Sequence, residues 1–530
     1  MKKQIALLVA VLCLFSTAFA LADVNKEDFH YFENGVTLNV ARVDGFSFYG
    51  YNEDWTSKED NLWIKKFKEY LNIDFEYAFL LENNDWETYN TQLNLAIASG
   101  MLPTACSVNR AQYEELIEGG YMADMSEMYA KYASDHVKSM VEDSPELNYM
   151  TRDGKLYGLP VVSPTFGTYD MLVIRKDWMD AIGVTEVPTT IEGMIELGEK
   201  FVEAKLGGEN TYALCVGGAG MGGSWGGLQG FFMGYGVPWV SNNWQLDETT
   251  GKLYYGPTDA RMKEALLRLQ EMYKVGLIKE DYLVTGAAAS FNAGEAGIIY
   301  SINYGPINAV DLYALDEKVE LIGADIPTLN GEKPIYYDSA IPGSFLFVNA
   351  NATEEEKRAI VEGNNLTQAL FSDFSYDWGY HRGASPLVAQ NESPYMRVLY
   401  YGEIAEAYET GNTDHFTSAN AKTYYERLVA FEAGDRSLGK YHGIYRVPDG
   451  TYGVMYRALQ EDRMRNTLYV APSTESMLEY QGMLDELLVN AANNVIMGQD
   501  ISVWEAAVDE WYATGGQEMT DDVNEWFELQ

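Results

Sequence analysis

The 530-residue chain is longer than one hydrophobic core usually supports, so at least two lobes are expected. A formal charge of −42, from 79 acidic against 37 basic side chains, repels nucleic acid and anionic membrane surfaces and favours a monomer in solution. Three cysteines are too few for a disulfide-stapled scaffold.

At the N-terminus, Lys2 and Lys3 precede an apolar run from Ile5 to Phe19, and small residues follow at Ala18, Ala20 and Ala22. This is the pattern of a secretory leader over residues 1–22, cleaved after Ala22. The run falls short of the roughly 20 apolar residues that a membrane-spanning helix needs. Cys13 lies inside the leader behind Ala10, Val11 and Leu12, without the small residue of a lipid-attachment box, which argues against lipid anchoring. Cys106 and Cys215 remain, as one disulfide or as two buried free thiols in separate strands.

Val36, Leu38 and Val40 alternate with polar residues as a strand that extends toward Val43, and Leu62, Trp63, Phe67, Tyr70 and Leu71 fall on one helical stripe. Residues 73–79 read as a second strand. A helix over 86–99 follows, with Asn84 or Asp85 as its cap and Gly100 as its stop. Residues 104–108 form a third strand, and a helix through Leu116 ends at Gly119 and Gly120. This alternation describes an α/β lobe that binds ligands on the loops after its strand C-termini. A second lobe begins near Pro160, with a strand over 171–174, a helix capped by Thr190 and running to about Ala204, and a strand over 212–216. The glycine-rich loop 217–227 comes next, then a helix over 259–275 stopped by Gly276, and a strand over 297–302. Residues 345–349 read as a return to the first lobe, Thr353 opens a helix, and the last hundred residues are mostly helical.

Two enzyme-like patterns overlap in the glycine-rich loop. Gly218, Gly220 and Gly223 satisfy G-x-G-x-x-G, but the strand with an acidic residue that a dinucleotide site needs about 20 positions later is missing. Gly222, Ser224 and Gly226 satisfy G-x-S-x-G, but none of His381, His415 and His442 stands in a nucleophile-elbow context. Glycine at these positions lets backbone approach a ligand closely and presents Trp225. With five histidines, no H-E-x-x-H and no EF-hand loop, no metal and no cofactor are expected. Acidic pairs suited to glycosidic cleavage are inevitable among 79 carboxylates, and no pair stands out.

Seven segments carry a stronger signal. Leu93 to Thr104 (L-N-L-A-I-A-S-G-M-L-P-T), Asp153 to Pro160 (D-G-K-L-Y-G-L-P) and Ile174 to Met179 (I-R-K-D-W-M) come first. T-G-K-L-Y-Y-G with M-Y-K-V-G-L-I, Phe291 to Gly297 (F-N-A-G-E-A-G), A-P-S-T-E-S-M, and Trp511 to Phe527 follow. In this order they resemble the family 1 extracellular solute-binding proteins, most of all their larger oligosaccharide-binding branch. The loop Gly379 to Pro386 departs from that branch in lacking an acidic residue it often carries.

The resemblance implies a two-lobed, type II periplasmic-binding-protein-like α/β fold with discontinuous lobes joined by hinge strands. Residues 23–163 and 343–415 would form the N-terminal lobe, and 164–342 with 416–530 the C-terminal lobe. It implies a receptor, not an enzyme, that captures a carbohydrate between its lobes and delivers it to the permease subunits of an ATP-driven importer, outside the cytoplasm. A secreted carbohydrate-active enzyme, or a receptor for a peptide or other small polar solute, are the alternatives. The implied ligand residues are Tyr51, Asn52, Asn109 and Arg110 from the first lobe, Tyr169, Trp225 and Tyr304 from the second, and Arg382. Rings would stack on sugar faces, and amide and guanidinium groups would bond hydroxyls. Trp55 and Trp239 are weaker candidates. Trp63, Trp178, Trp504, Trp511 and Trp526 lie on helical stripes and are assigned to core.

Overall fold

The computed structural model describes residues 25–44, 61–82, 85–142, 144–162, 170–217, 221, 225–240, 242–315, 318–338, 343–372, 385–387, 396–416 and 418–529. The leader and Trp55 lie outside them. The strands of the two main sheets are, in chain order, β1 (Val36–Val43), β2 (Ile73–Leu81), β3 (Ala105–Val108), β4 (Leu159–Pro160), β5 (Met171–Arg175), β6 (Tyr212–Cys215), β7 (Ala296–Ser301), β8 (Leu321–Ala324) and β9 (Phe345–Val348). The described residues fall into two compact units. The first is drawn from Met1–Pro164, Pro342–Pro394 and Thr413–Thr423, the second from Thr165–Ile341, Tyr395–Asn412 and Tyr424–Gln530.

In the first unit the sheet order is β2-β1-β3-β9-β4. β1 runs parallel to β2 and β3, and β9 lies antiparallel between β3 and the edge strand β4, with Phe345 opposite Val108. Alternation along β1 explains why both faces are covered. Val36, Leu38 and Val40 pack with Trp63, Phe67 and Leu71 of the helix Leu62–Leu71, while Ala41 and Val43 pack with Tyr89, Leu93 and Ile97 of the helix Trp86–Ser99. Burying side chains such as Phe67 and Leu71 contributes about 2 kcal/mol each. The caps follow local chemistry. Asp85 accepts the Thr88 N–H at 3.0 Å, and Gly100 ends the helix at φ 69°, where a side chain is disfavoured. Thr353 and Glu356 form a capping box that opens the helix Glu354–Ser372.

In the second unit the order is β8-β5-β7-β6, with β7 parallel to β6 and antiparallel to β5. β5 and β7 are buried on both faces, as their unbroken apolar runs require. Thr190 caps the helix Ile191–Glu203 through the Gly193 N–H at 3.0 Å. The helix Met262–Lys274 starts three residues later than its periodicity suggests, because Gly256–Thr258 forms a 3-10 turn first. Trp178, Trp504 and Trp511 are buried in this core, Trp526 packs against it, and Trp239 is buried there too. The helix Met396–Thr410 packs on Thr451–Gln460 and groups with this unit, not with residues 343–372.

Both thiols are free and buried, Cys106 in β3 and Cys215 in β6. Burial pushes each up to about 12.

Candidate functional site

In the first unit, Asn109 and Arg110 sit where β3 ends. Asn109 is the N-cap of the helix Arg110–Glu118, its side-chain oxygen accepting the Gln112 N–H at 3.0 Å while Gln112 Oε1 accepts the Asn109 N–H at 3.0 Å. Two orphan N–H groups at the helix start are thereby satisfied. The half-buried Arg110 lays its guanidinium 5.2 Å from the centre of the Tyr149 ring and donates from Nε to the Tyr149 hydroxyl at 3.0 Å. That hydroxyl donates to Glu114 Oε1, and Arg152 Nη2 donates to both Glu114 oxygens at 2.7 Å. Tyr113 stacks on Phe345 of β9 at 4.3 Å, with Tyr149 on the same ring at 5.2 Å. Burial, more than any neighbouring charge, holds the Tyr113 and Tyr149 phenols well above their usual range. Arg110 is thus oriented by a buried acid–tyrosine–arginine cluster.

In the second unit, Trp225 and Tyr304 both lie at the C-terminal end of β7. The glycine-rich loop leaves and rejoins the sheet at two points: the Gly217 N–H donates to Gly226 O at 3.1 Å and the Gly226 N–H to Tyr300 O at 2.8 Å. A Cβ on Gly217 would fall 2.0 Å from Ala287 N, and one on Gly226 would fall 2.3 Å from Ala287 Cβ. These two glycines therefore let the loop ends seat against the helix Ala287–Asn292. Gly218, Gly220, Gly222, Gly223 and Ser224 lie outside the described residues. Trp225 bridges Ser301 antiparallel and meets Phe291 edge-on at 5.2 Å. Its ring is half-buried, and its Nε1 is buried without a hydrogen-bond partner among the described residues. Gly305 makes room for this ring, since a Cβ there would come 2.7 Å from Trp225 Cε3. Next to it, Tyr304 donates its N–H to Asn303 Oδ1 at 2.7 Å and leaves its side chain 40% exposed.

Trp225 and Tyr304 are thus brought to one end of one sheet, and Asn109 with Arg110 to the end of another strand. Tyr51, Asn52, Tyr169 and Arg382 lie outside the described residues. Three groups beside these positions were not singled out from the sequence: Glu114, Tyr149 and Asp170. Asp170 was the most legible, as an acid heading the wholly apolar run M-L-V-I of β5. Nothing in residue spacing links Glu114 to Tyr149 or Arg152, which meet only through folding. Among the described residues no three His, Cys, Asp or Glu side chains converge as metal ligands. No helix among them is long and apolar enough to cross a membrane.

Several solved structures share this fold. The Streptococcus (S. pneumoniae) ABC-transporter substrate binding protein FusA in complex with kestose superposes with a TM-score of 0.61 at 13% identity, over 93% of this chain and 99% of that one. An HMO binding, ABC-transporter associated solute binding protein from Bifidobacterium longum infantis gives 0.60 at 13%, over 94% and 99%. The alginate-binding protein AlgQ2 without calcium ion gives 0.57 at 12%, over 94% and 99%. No curated protein matches in sequence. The profile of the family described as bacterial extracellular solute-binding protein matches residues 52–362, more than half of the chain. The chain therefore belongs to the bacterial extracellular solute-binding proteins, a family that binds solutes outside the cytoplasm.

Proposed function

We propose that this protein is the carbohydrate receptor of an ATP-driven importer: it captures an oligosaccharide, hands it to the permease subunits, and catalyses no reaction. In this reading residues 1–22 are a cleaved leader and the receptor works as a monomer. The observation that carries the sugar reading is the placement of Trp225 and the exposed Tyr304 at the same C-terminal end of β7, on a scaffold with family membership already established. Aromatic faces offer the apolar surface on which pyranose C–H groups pack. The kestose and HMO ligands of two fold neighbours support the same class. A neutral saccharide fits better than an extended anionic one, which would call for several arginines where Arg110 and Arg382 are the candidates.

The test is a panel of neutral and acidic oligosaccharides scored by thermal stabilisation, isothermal titration and product analysis. Stoichiometric binding without turnover is expected, and accumulation of cleaved product overturns the receptor reading. Trp225→Ala is expected to weaken the bound saccharide at least about tenfold, equivalent to about 1.4 kcal/mol. Because the ring also packs on Phe291, the same change costs about 2 kcal/mol of stability. Undiminished affinity in Trp225→Ala removes this ring from the site.

A further inference from the structure

β5 is preceded by an acid that the ligand reading does not use. Asp170 is completely buried. Its Oδ2 accepts the Gly230 N–H at 3.2 Å, and its Oδ1, also buried, has no hydrogen-bond partner among the described residues. An ionised carboxylate removed from water normally takes several donors or a cation, because its desolvation is too costly otherwise. Among the described residues neither is supplied. The titratable groups on the packed elements are Tyr300 from β7 and, beyond it, Tyr235 after the helix Gln229–Gly234, both raised by burial. The Tyr300 hydroxyl turns away to Met194 Sδ at 3.3 Å. The contact is also tight: a Cβ on Gly230 would fall 2.3 Å from Tyr300 Cδ1 and 3.1 Å from Asp170 Cβ.

We propose that Asp170 is a proton-binding switch in the second unit, neutral and buried beside Gly230 in acidic medium and driving its site to open to water when it ionises. Burial pushes its carboxyl up to about 7, opposed only by the single Gly230 N–H. An asparagine would make the same hydrogen bond without titrating, so the acid adds sensitivity to pH and no contact. The helix that Asp170 holds, Gln229–Gly234, begins four residues after Trp225, and an exported protein meets the pH of its surroundings directly. The switch does not depend on what the protein binds.

The sign follows from linkage. The folded-state carboxyl lies above its unfolded value of 3.8, so its contribution to stability is complete below pH 3.8 and is lost as pH rises through about 7. The full chain and Asp170→Asn are unfolded in urea at pH 5, 6, 7 and 8. The ratio of unfolding constants, wild type over variant, is expected to rise by up to about tenfold per pH unit to pH 7 and then level off. A ratio flat from pH 5 to 8 overturns the proposal. Infrared titration of wild-type protein carrying 13C-labelled aspartate provides a readout that needs no variant. One protonated aspartate is expected to persist at pH 6 and vanish by pH 8, and its absence at pH 6 also overturns the proposal.

Discussion

Removing Arg152 tests whether the cluster behind Arg110 holds the first unit together. The Glu114 side chain is only 8% exposed and takes both its strong donors from Arg152 Nη2 at 2.7 Å, with the Tyr149 hydroxyl as the remaining partner. Arg152→Met leaves the buried carboxylate without its directly paired cation, with Arg110 reaching it only through the Tyr149 hydroxyl, a change that costs about 3–5 kcal/mol in comparable settings. Glu114→Gln is milder, about 1–2 kcal/mol, because the Arg152 side chain is 23% exposed and turns to solvent. The double variant Glu114→Gln/Arg152→Met removes both charges and is expected to cost about 2 kcal/mol, which makes the coupling between the two sites about 2–5 kcal/mol. Because two compact units need not unfold together, the assay is native-state hydrogen exchange by mass spectrometry on peptides spanning 105–118, read against urea. Additive single effects, with a coupling below about 1 kcal/mol, would show that Glu114 and Arg152 act independently and refute the reasoning.

Asn109→Ala is expected to cost about 1 kcal/mol through loss of the cap, with Asn109→Asp close to neutral, as read by the same exchange peptides. Gly230→Ala is expected to cost about 1–3 kcal/mol in urea unfolding, since the new methyl meets the Tyr300 ring; an unchanged midpoint contradicts that packing. His442, buried against Phe431 at 4.3 Å and near Arg446 and Arg436, is pushed down to about 3 by burial and then by those charges. Its folded value lies below the unfolded 6.5, so stability is lost as pH falls from 6.5 toward 3. His442→Gln is expected to flatten that acid limb, and an unaltered limb would place the acid sensitivity elsewhere. The Cys106 and Cys215 thiols are expected to resist iodoacetamide at pH 8 until urea unfolds the chain, because burial keeps them protonated; rapid native alkylation would show otherwise.

Much of the architecture was legible because its signals are local. The stripe Trp63, Phe67, Leu71 and the alternation Val36, Leu38, Val40 specify a helix and a strand within a dozen residues each. Asp85, Thr190, Gly100 and Gly276 mark helix ends by capping chemistry that involves only the next turn. Family resemblance was legible for the same reason: its motifs are short segments such as Asp153 to Pro160, where Asp153 and Gly154 turn at φ 51° and 75° between two short strands.

The sequence by itself determined many of the strands and helices, the two-lobed α/β fold class and membership among extracellular solute-binding proteins, since periodicity, caps and motifs act over a few residues; the helices over 126–150 and the strand Leu321–Ala324 were not read from it. Only the tertiary structure decided what the polar groups do. Ser107 and Ser344 share a hydrogen bond across 237 positions of chain, Glu114 meets Arg152 across 38, and Asp170 meets Gly230 across 60. The two bracketing glycines, Gly217 and Gly226, proved to serve Ala287, a residue no local pattern connects to them. Burial, charge state and partner choice depend on what folding brings into contact from far along the chain, and no local pattern records that.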